Sequence, residues 1–228
     1  MPLNFLEGQV LLFNKPYMWT SFDLVNKVKF VLKKNNPEYK KIKVGHAGTL
    51  DPLATGLMIV CTGKKTKEIA NFTGLDKEYI ATIKFGATTP SFDLETQVDK
   101  EFPFEFITKE LLEQALLSFK GKQLQEPPLF SAKKIDGARA YNKARAGSTM
   151  QLKKVEIEIK ELELIDFNLP VAKVKILCTK GTYIRSFAHD LGKFLNSGAH
   201  LTALERTKIG DFSIDKAIDI NDLILFVK

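Results

Sequence analysis

Twelve consecutive residues, Gly45-His46-Ala47-Gly48-Thr49-Leu50-Asp51-Pro52-Leu53-Ala54-Thr55-Gly56, constrain this chain more than any other stretch. They gather three glycines, one histidine and one carboxylate, then run into the apolar Leu57-Met58-Ile59-Val60-Cys61. That order reads as a tight loop feeding a buried strand. Gly45 and Gly48 allow a positive φ or the close approach of another backbone. Pro52 fixes its own φ and biases Asp51 toward an extended conformation, so a stiffened backbone aims the carboxylate. An Asx-turn residue and a reactive or ligand-binding carboxylate both fit Asp51, and the loop alone leaves the two open.

The surrounding charge gives the loop a context. The chain has 228 residues with 34 Lys and Arg against 27 Asp and Glu, a net charge of +7. The excess is clustered: seven lysines and one acid from Lys27 to Lys43, five basic residues and one acid from Lys133 to Arg145. Such patches are the footprint of a polyanionic partner such as nucleic acid. Cys61 and Cys178 each end an apolar run and are expected as buried free thiols in a reducing compartment. The two Cys and three His show no zinc-ligand spacing. There is no signal-peptide pattern at the N-terminus and no apolar run near the roughly 20 residues of a membrane span. A cytoplasmic protein without membrane association is expected.

Periodicity gives a mixed set of elements. Val10–Phe13 reads as a strand, and Thr20 or Ser21 as the cap of a helix with Leu24, Val25, Val28, Val31 and Leu32 on one face. Most of that helix's lysines then face solvent, and 35–43 reads as a polar loop. Gly63-Lys64-Lys65-Thr66 is no P-loop, because the spacing from Gly56 is wrong; a short helix with Ile69, Ala70 and Phe72 inward is expected instead. Glu78–Gly86 alternates as a strand with Tyr79, Ala81, Ile83 and Phe85 on one face, and Thr88–Asp99 is a polar loop. A helix from Thr108 turns Leu111, Leu112, Ala115, Leu116 and Phe119 inward and stops at Gly121. Glu126–Phe130 is extended, and the second half of Lys133–Arg145 is helical in pattern. Lys154–Phe167 predicts a long strand with a bend or bulge, followed by strand Val171–Thr179. A turn at Lys180-Gly181-Thr182 leads to a helix with Ile184, Phe187, Ala188, Leu191, Phe194 and Leu195 on one face. A basic β-like segment, Leu201–Ile209, and a short helix that Asn221 opens or caps complete the chain. The elements predict an α+β fold with a mixed, mainly antiparallel sheet, organised as a single domain over 1–228.

Arg185 stands at the start of a predicted helix, where its charge opposes the positive N-terminal end. A cation so placed calls for a partner elsewhere, and a carboxylate such as Asp51 is one candidate, held by two parallel hydrogen bonds. A structural ion pair fits as well.

The run Gly45–Gly56 resembles the signature of the TruB family of tRNA pseudouridine synthases. The similarity continues at Lys15-Pro16 with Thr20-Ser21, at Lys77-Glu78-Tyr79, at Pro128-Leu129-Phe130-Ser131-Ala132-Lys133 and at Lys180-Gly181-Thr182-Tyr183-Ile184-Arg185. It spans nearly the whole chain in the family's order. The resemblance implies the pseudouridine synthase fold and conversion of the T-loop uridine, position 55 in tRNA numbering, to pseudouridine by base flipping. It implies no cofactor, no metal, tRNA through its T-arm as partner, and a monomer. Asp51 matches the family's essential aspartate, Tyr79 the tyrosine that stacks on the target base, and Arg185 the arginine paired with the aspartate. His46 matches a histidine associated with RNA binding or base flipping, and Asp93 an acidic residue in a loop near the site. Lys15 and Tyr183 match residues that support the site, and Lys133 falls in a matching basic segment that would hold RNA.

Two departures stand out. Met18 occupies a position where the family commonly has glycine, which bears on the local turn. The chain ends at Lys228, which leaves no room for the full C-terminal RNA-binding (PUA) domain of many family members. A non-catalytic tRNA-binding or tRNA-folding protein on the same scaffold is the alternative; it has no chemical reason to keep Asp51, Tyr79 and Arg185 together. An aspartyl-phosphate enzyme built on Asp51 lacks the second acid such chemistry needs.

Overall fold

Residues 3–130, 134–135, 138–139 and 152–227 are described by a computed structural model of the chain. In chain order the strands are β1 (Val10–Lys15), β2 (Val44–His46), β3 (Ala54–Thr62), β4 (Lys77–Phe85), β5 (Ala87–Thr88), β6 (Lys100–Glu101) and β7 (Gly121–Gln125). They continue with β8 (Lys134–Ile135), β9 (Ala138–Arg139), β10 (Val155–Asn168), β11 (Val171–Cys178), β12 (Ala199–Ile209) and β13 (Phe212–Ser213). The α-helices are α1 (Ser21–Asn35), α2 (Ile69–Gly74), α3 (Lys109–Ser118) and α4 (Ile184–Phe194). The chain divides into two units, Met1–Tyr79 with Leu204–Lys228, and Ile80–Ala203.

In the first unit β3 is central. β1 pairs with it antiparallel from Val10↔Cys61 to Lys15↔Gly56, and β2 pairs antiparallel with its C-terminal half. β12 joins it in parallel, Leu204↔Ala54 to Arg206↔Gly56. A strand paired on both sides reads as a continuous apolar run, and β3 is buried at every position but Thr55. Gly56 has φ 108°, and a Cβ there would stand 2.4 Å from the Arg206 carbonyl oxygen, so no other residue fits. Ala47, Leu57, Ile59, Cys61 and Ile209 form the core, with Ile69 and Phe72 of α2 packed against it. α1 begins with a capping box: Thr20 Oγ1 accepts from Asp23 N at 3.0 Å, and the Asp23 carboxylate accepts from Thr20 N at 2.9 Å. Its apolar face, Leu24, Val25, Val28 and Leu32, is buried as the spacing predicts.

Three details of this unit differ from the sequence reading. Residues 35–43 contain a 3-10 helix, Pro37–Lys41, because Asn36 caps Glu38 N at 2.9 Å and Pro37 opens the helix. Its Tyr39 is buried edge-on against Phe5, an apolar anchor inside a lysine-rich stretch. Ala70 is exposed, since α2 is too short to turn more than Ile69 and Phe72 inward. The last 3-10 helix, Ile220–Phe226, has Asp219 in its N-cap position without a side-chain cap, and Asn221 lies inside its first turn.

In the second unit the strand order is β4, β11, β10, β7. β10 and β11 are antiparallel, and their register shifts between Ile159 and Glu161, which is the bulge that the two overlapping alternations predict. A second shift follows between Leu164 and Asp166. β7 is antiparallel to the other side of β10. The sequence reading has no strand there: Gly121-Lys122-Gln123-Leu124-Gln125 carries one apolar residue, and pairing rather than patterning makes it a strand. α3 is capped by Thr108 and buries Leu112, Ala115 and Leu116, whereas Leu111 points outward. Phe119 packs edge-on against Phe187 and Phe194 of α4. Phe194 is otherwise 56% exposed, unlike Ile184, Phe187, Ala188 and Leu191. Both cysteines are buried free thiols, as expected. The α+β architecture with a mainly antiparallel sheet matches the sequence reading. Apart from β8 and β9, the basic segment Lys133–Arg145 and its expected helix lie outside the described residues. Among the described residues no helix is long and apolar enough to cross a membrane.

Candidate active site

The first unit holds Asp51 on a loop between β2 and β3, and nearly every residue around it is fastened. Ala47 N donates to Ile59 O at 2.9 Å and Ala54 N to Asp51 O at 3.1 Å. The buried Ser21 hydroxyl at the start of α1 accepts from Leu50 N at 2.8 Å and donates to Leu50 O at 3.1 Å. Pro52 O accepts from Met18 N at 2.9 Å. Asp51 is thus held between a residue clamped to α1 and a residue clamped to the turn after β1.

Lys15, fully buried at the end of β1, completes that clamp. Its ammonium donates to the carbonyls of Trp19 at 2.6 Å, Pro16 at 2.9 Å and Pro52 at 3.4 Å. Burial brings its pKa down to about 8; the Asp51 charge opposes that shift and the Arg206 charge adds to it. Met18, in the same turn, has φ 66°. The left-handed turn that glycine would favour is kept, with a long side chain carried in it.

Arg206 is the residue that sequence reasoning missed. It is 1% exposed, and from β12 its Nε donates to Leu57 O at 2.8 Å and its Nη2 to Gly48 O at 3.1 Å. Nothing in the sequence marks it out, because it sits in the run Arg206-Thr207-Lys208, whose ordinary reading is a solvated basic strand. His46, half-buried on β2, has its pKa lowered by burial and then by the Arg206 charge, so its imidazole is neutral at pH 7. Tyr79, on the first-unit part of β4, is buried on the same face as Lys77. Lys77 donates to Thr73 O at 2.7 Å and Leu75 O at 2.5 Å, closing the C-terminal end of α2.

In the second unit Arg185 occupies the first turn of α4 and is buried. Its Nη2 donates to Phe130 O at 2.8 Å and its Nη1 to Ser91 O at 3.1 Å, while Nε lies 3.6 Å from an Asp93 carboxylate oxygen. Asp93 is therefore a countercharge for a guanidinium placed against its helix end. The carboxylate is fixed in turn, accepting from Glu95 N at 2.9 Å, and the Asp93 carbonyl accepts from Thr89 Oγ1 at 2.7 Å. Between Ser91 and Asp93, Phe92 has φ 64° and stacks on His189 at 3.9 Å, one turn along α4 from Arg185. That left-handed residue turns the Ser91 carbonyl and the Asp93 carboxylate toward one guanidinium.

Tyr183 stands at the N-cap of α4 but makes no side-chain cap. Gln125 caps from outside: its Oε1 accepts from Tyr183 N at 2.8 Å and its Nε2 donates to Tyr183 O at 3.0 Å. Ser186 Oγ donates to Glu126 O at 2.7 Å, so the end of β7 holds the helix start that carries Arg185. Neither contact is foreseeable from local sequence. Lys133 lies outside the described residues. Groups of three or more potential metal ligands are absent among the described residues.

Known proteins resemble the chain along nearly its whole length. The model for TruB family pseudouridylate synthase (N terminal domain) matches residues 34–184. The model for the tRNA pseudouridylate synthase B C-terminal domain matches residues 185–227. A tRNA pseudouridine synthase B of Parabacteroides distasonis is 54% identical over 226 residues, covering 99% of this chain and 96% of that protein. One of Flavobacterium johnsoniae is 52% identical, covering 96% of each. Among solved structures, a chain of a Cbf5-Nop10-Gar1 complex superposes with a TM-score of 0.73 at 26% identity, over 96% of this chain and 54% of that one. This chain thus spans about half of that larger protein.

Proposed function

The chain belongs to the TruB family of pseudouridylate synthases, and from that premise we propose that it is a cytoplasmic tRNA pseudouridine synthase acting on the T-loop uridine, position 55 in tRNA numbering. The observation that carries the reading is the loop geometry: a single carboxylate, Asp51, fastened on both sides by Ser21, Lys15 and Arg206 in a loop of the family's signature. The reaction is an isomerisation. The bond from N1 of the base to C1′ of the ribose breaks, the base turns, and C5 bonds to C1′; C5 loses a proton and N1 gains one. Atoms and electrons balance without a redox partner, and no cofactor enters the proposal.

Asp51 is the group that drives cleavage of the glycosidic bond, and a carboxylate does so only when ionised. The Lys15 ammonium, which is coupled to the Asp51 charge in its own unit, favours the ionised form, and Arg185 matches the arginine that the family pairs with this aspartate. Tyr79 offers an aromatic face to a base that has lost its stacking, which costs a few kcal/mol to break. His46, neutral at pH 7, suits contact with a base rather than a phosphate. Burial of Lys15 and Asp93 supports a role in holding the machinery rather than touching RNA, and Tyr183 serves through the helix start it occupies. Lysines 33, 34, 40, 41 and 43 are exposed and would hold phosphates of the T-arm without reading sequence, with Lys133 a further candidate. RNA shape then selects the substrate. The working unit is a monomer made of one catalytic domain.

The decisive experiment compares wild type with Asp51→Asn on a T-arm transcript. Wild type forms pseudouridine at position 55, and the variant loses on the order of 10⁴-fold or more in rate, as enzymes do when the attacking group is removed. RNA affinity is retained. Full activity of Asp51→Asn, or an inactive wild type that still binds and refolds tRNA, overturns the reading; the latter outcome leaves the tRNA-folding alternative.

A further inference from the structure

We propose that Arg206 is a positioning residue for Asp51, its guanidinium tying together the two ends of the loop that carries the aspartate; the inference rests on Asp51 being the reactive carboxylate. The observations all lie in the first unit. Arg206 is among the largest fully buried side chains of the protein. It donates to Gly48 O, before Asp51, and to Leu57 O, after it, at 3.1 and 2.8 Å. A guanidinium has five donors in a rigid fork and no acceptor, so one side chain can fix two carbonyls at a set separation.

Two glycines shape the backbone on either side of Asp51. Gly48 has φ 99°, and a Cβ there would sit 3.5 Å from Nη1 of Arg206. At Gly56 a Cβ would stand 2.4 and 2.6 Å from the Arg206 carbonyl oxygen and amide nitrogen. The backbone that roots Arg206 is therefore pressed against one end of the same loop that its side chain ties at both ends. A side chain needed only to fill space would be aliphatic, because burying a charge costs several kcal/mol unless it is compensated. The charge has reach: it lowers the pKa of both Lys15 and His46, on either side of the loop. Two cations, Lys15 and Arg206, are thus gathered in the unit that holds the Asp51 carboxylate.

Arg206→Lys and Arg206→Met separate fork geometry from charge. Each is measured for single-turnover pseudouridine formation on a T-arm RNA against pH, RNA affinity, urea unfolding, and titration of the His46 imidazole by NMR. Arg206→Lys is expected to fold and bind RNA as wild type does but to lose on the order of 10²-fold in rate, the scale of a 1 Å misplacement. In Arg206→Met the His46 titration moves to higher pH, because a repelling charge is gone. A wild-type rate for Arg206→Lys, an unmoved His46 titration in Arg206→Met, or failure of both variants to fold overturns the proposal; the last makes Arg206 part of the core alone. Failure of the functional reading looks different, since there wild type itself forms no pseudouridine.

Discussion

The Asp51 loop and the surroundings of Arg185 both keep charges in place out of water, but they distribute the task differently. Around Asp51 the fastening is shared: Ser21 holds the Leu50 amide and carbonyl, Lys15 and the Met18 amide both hold the Pro52 carbonyl, and Arg206 holds the Gly48 carbonyl. Around Arg185 a single guanidinium is the hub, and Ser91 O, Phe130 O and the Asp93 carboxylate all converge on it. Shared fastening should weaken by degrees, whereas a hub should fail at once. The proposed function draws on the same division: an aspartate proposed to attack needs its direction fixed, and a guanidinium proposed to supply charge needs its solvent replaced.

The sharpest way to break this contrast is Arg185→Ala. It leaves Asp93 buried without its cation and is expected to cost about 3–5 kcal/mol in urea unfolding, together with most of the pseudouridine-forming activity. Wild-type unfolding and turnover in that variant would show that the hub carries no weight. A smaller effect belongs to Lys15. Its pKa is about 8 in the folded protein against 10.5 when solvated, so between those values the unfolded chain binds a proton that the folded one does not. The Lys15 contribution is therefore fully present above pH 10.5 and lost as pH falls through about 8. Stability gains at most about 1.4 kcal/mol per pH unit across that window, and Lys15→Met should remove the slope. Cys61, raised from 9.0 to about 11 by burial, tilts the curve the other way, so the difference between wild type and variant is the quantity to read.

Ser21→Ala tests the shared side directly. It removes both bonds to Leu50 and should cost about 1–3 kcal/mol, the penalty of leaving a buried amide unpaired, while pseudouridine formation persists because the other fastenings hold. Loss of all activity would put the loop in the hub class. The smallest change is expected at Met18→Gly, where relief of the left-handed φ and the greater freedom of glycine in the unfolded chain nearly offset each other, within about 1 kcal/mol. A larger shift in the urea midpoint would mean that the Met18 side chain, although exposed, contributes contacts of its own.

What could be read from sequence and what could not divide along the same line. The alternation Tyr79-Ala81-Ile83-Phe85, the capped face of α1 and the bulge in β10 depend on neighbours in the chain, and each was legible. So was the need for a countercharge at Arg185, which local helix electrostatics demand, although Asp93 entered only through the family resemblance. Arg206, Gln125 and the left-handed Phe92 were not legible, because each acquires its role from a partner many residues away. The 3-10 helix at Pro37–Lys41 was missed for a different reason: its lysines hid the one buried ring, Tyr39, that anchors it.

The two buried thiols have a practical consequence. Cys61 lies in the first unit and Cys178 in the second, and the chain has no other cysteine. Alkylation requires the thiolate, and at Cys61 burial opposes both access and ionisation. Each thiol therefore reacts only when its own surroundings open. The native chain thus contains one chemical clock per unit, and the labelling rates of the two sulfurs time the breathing of the unit that carries Asp51 and of the unit that carries Arg185 separately, without a single engineered residue.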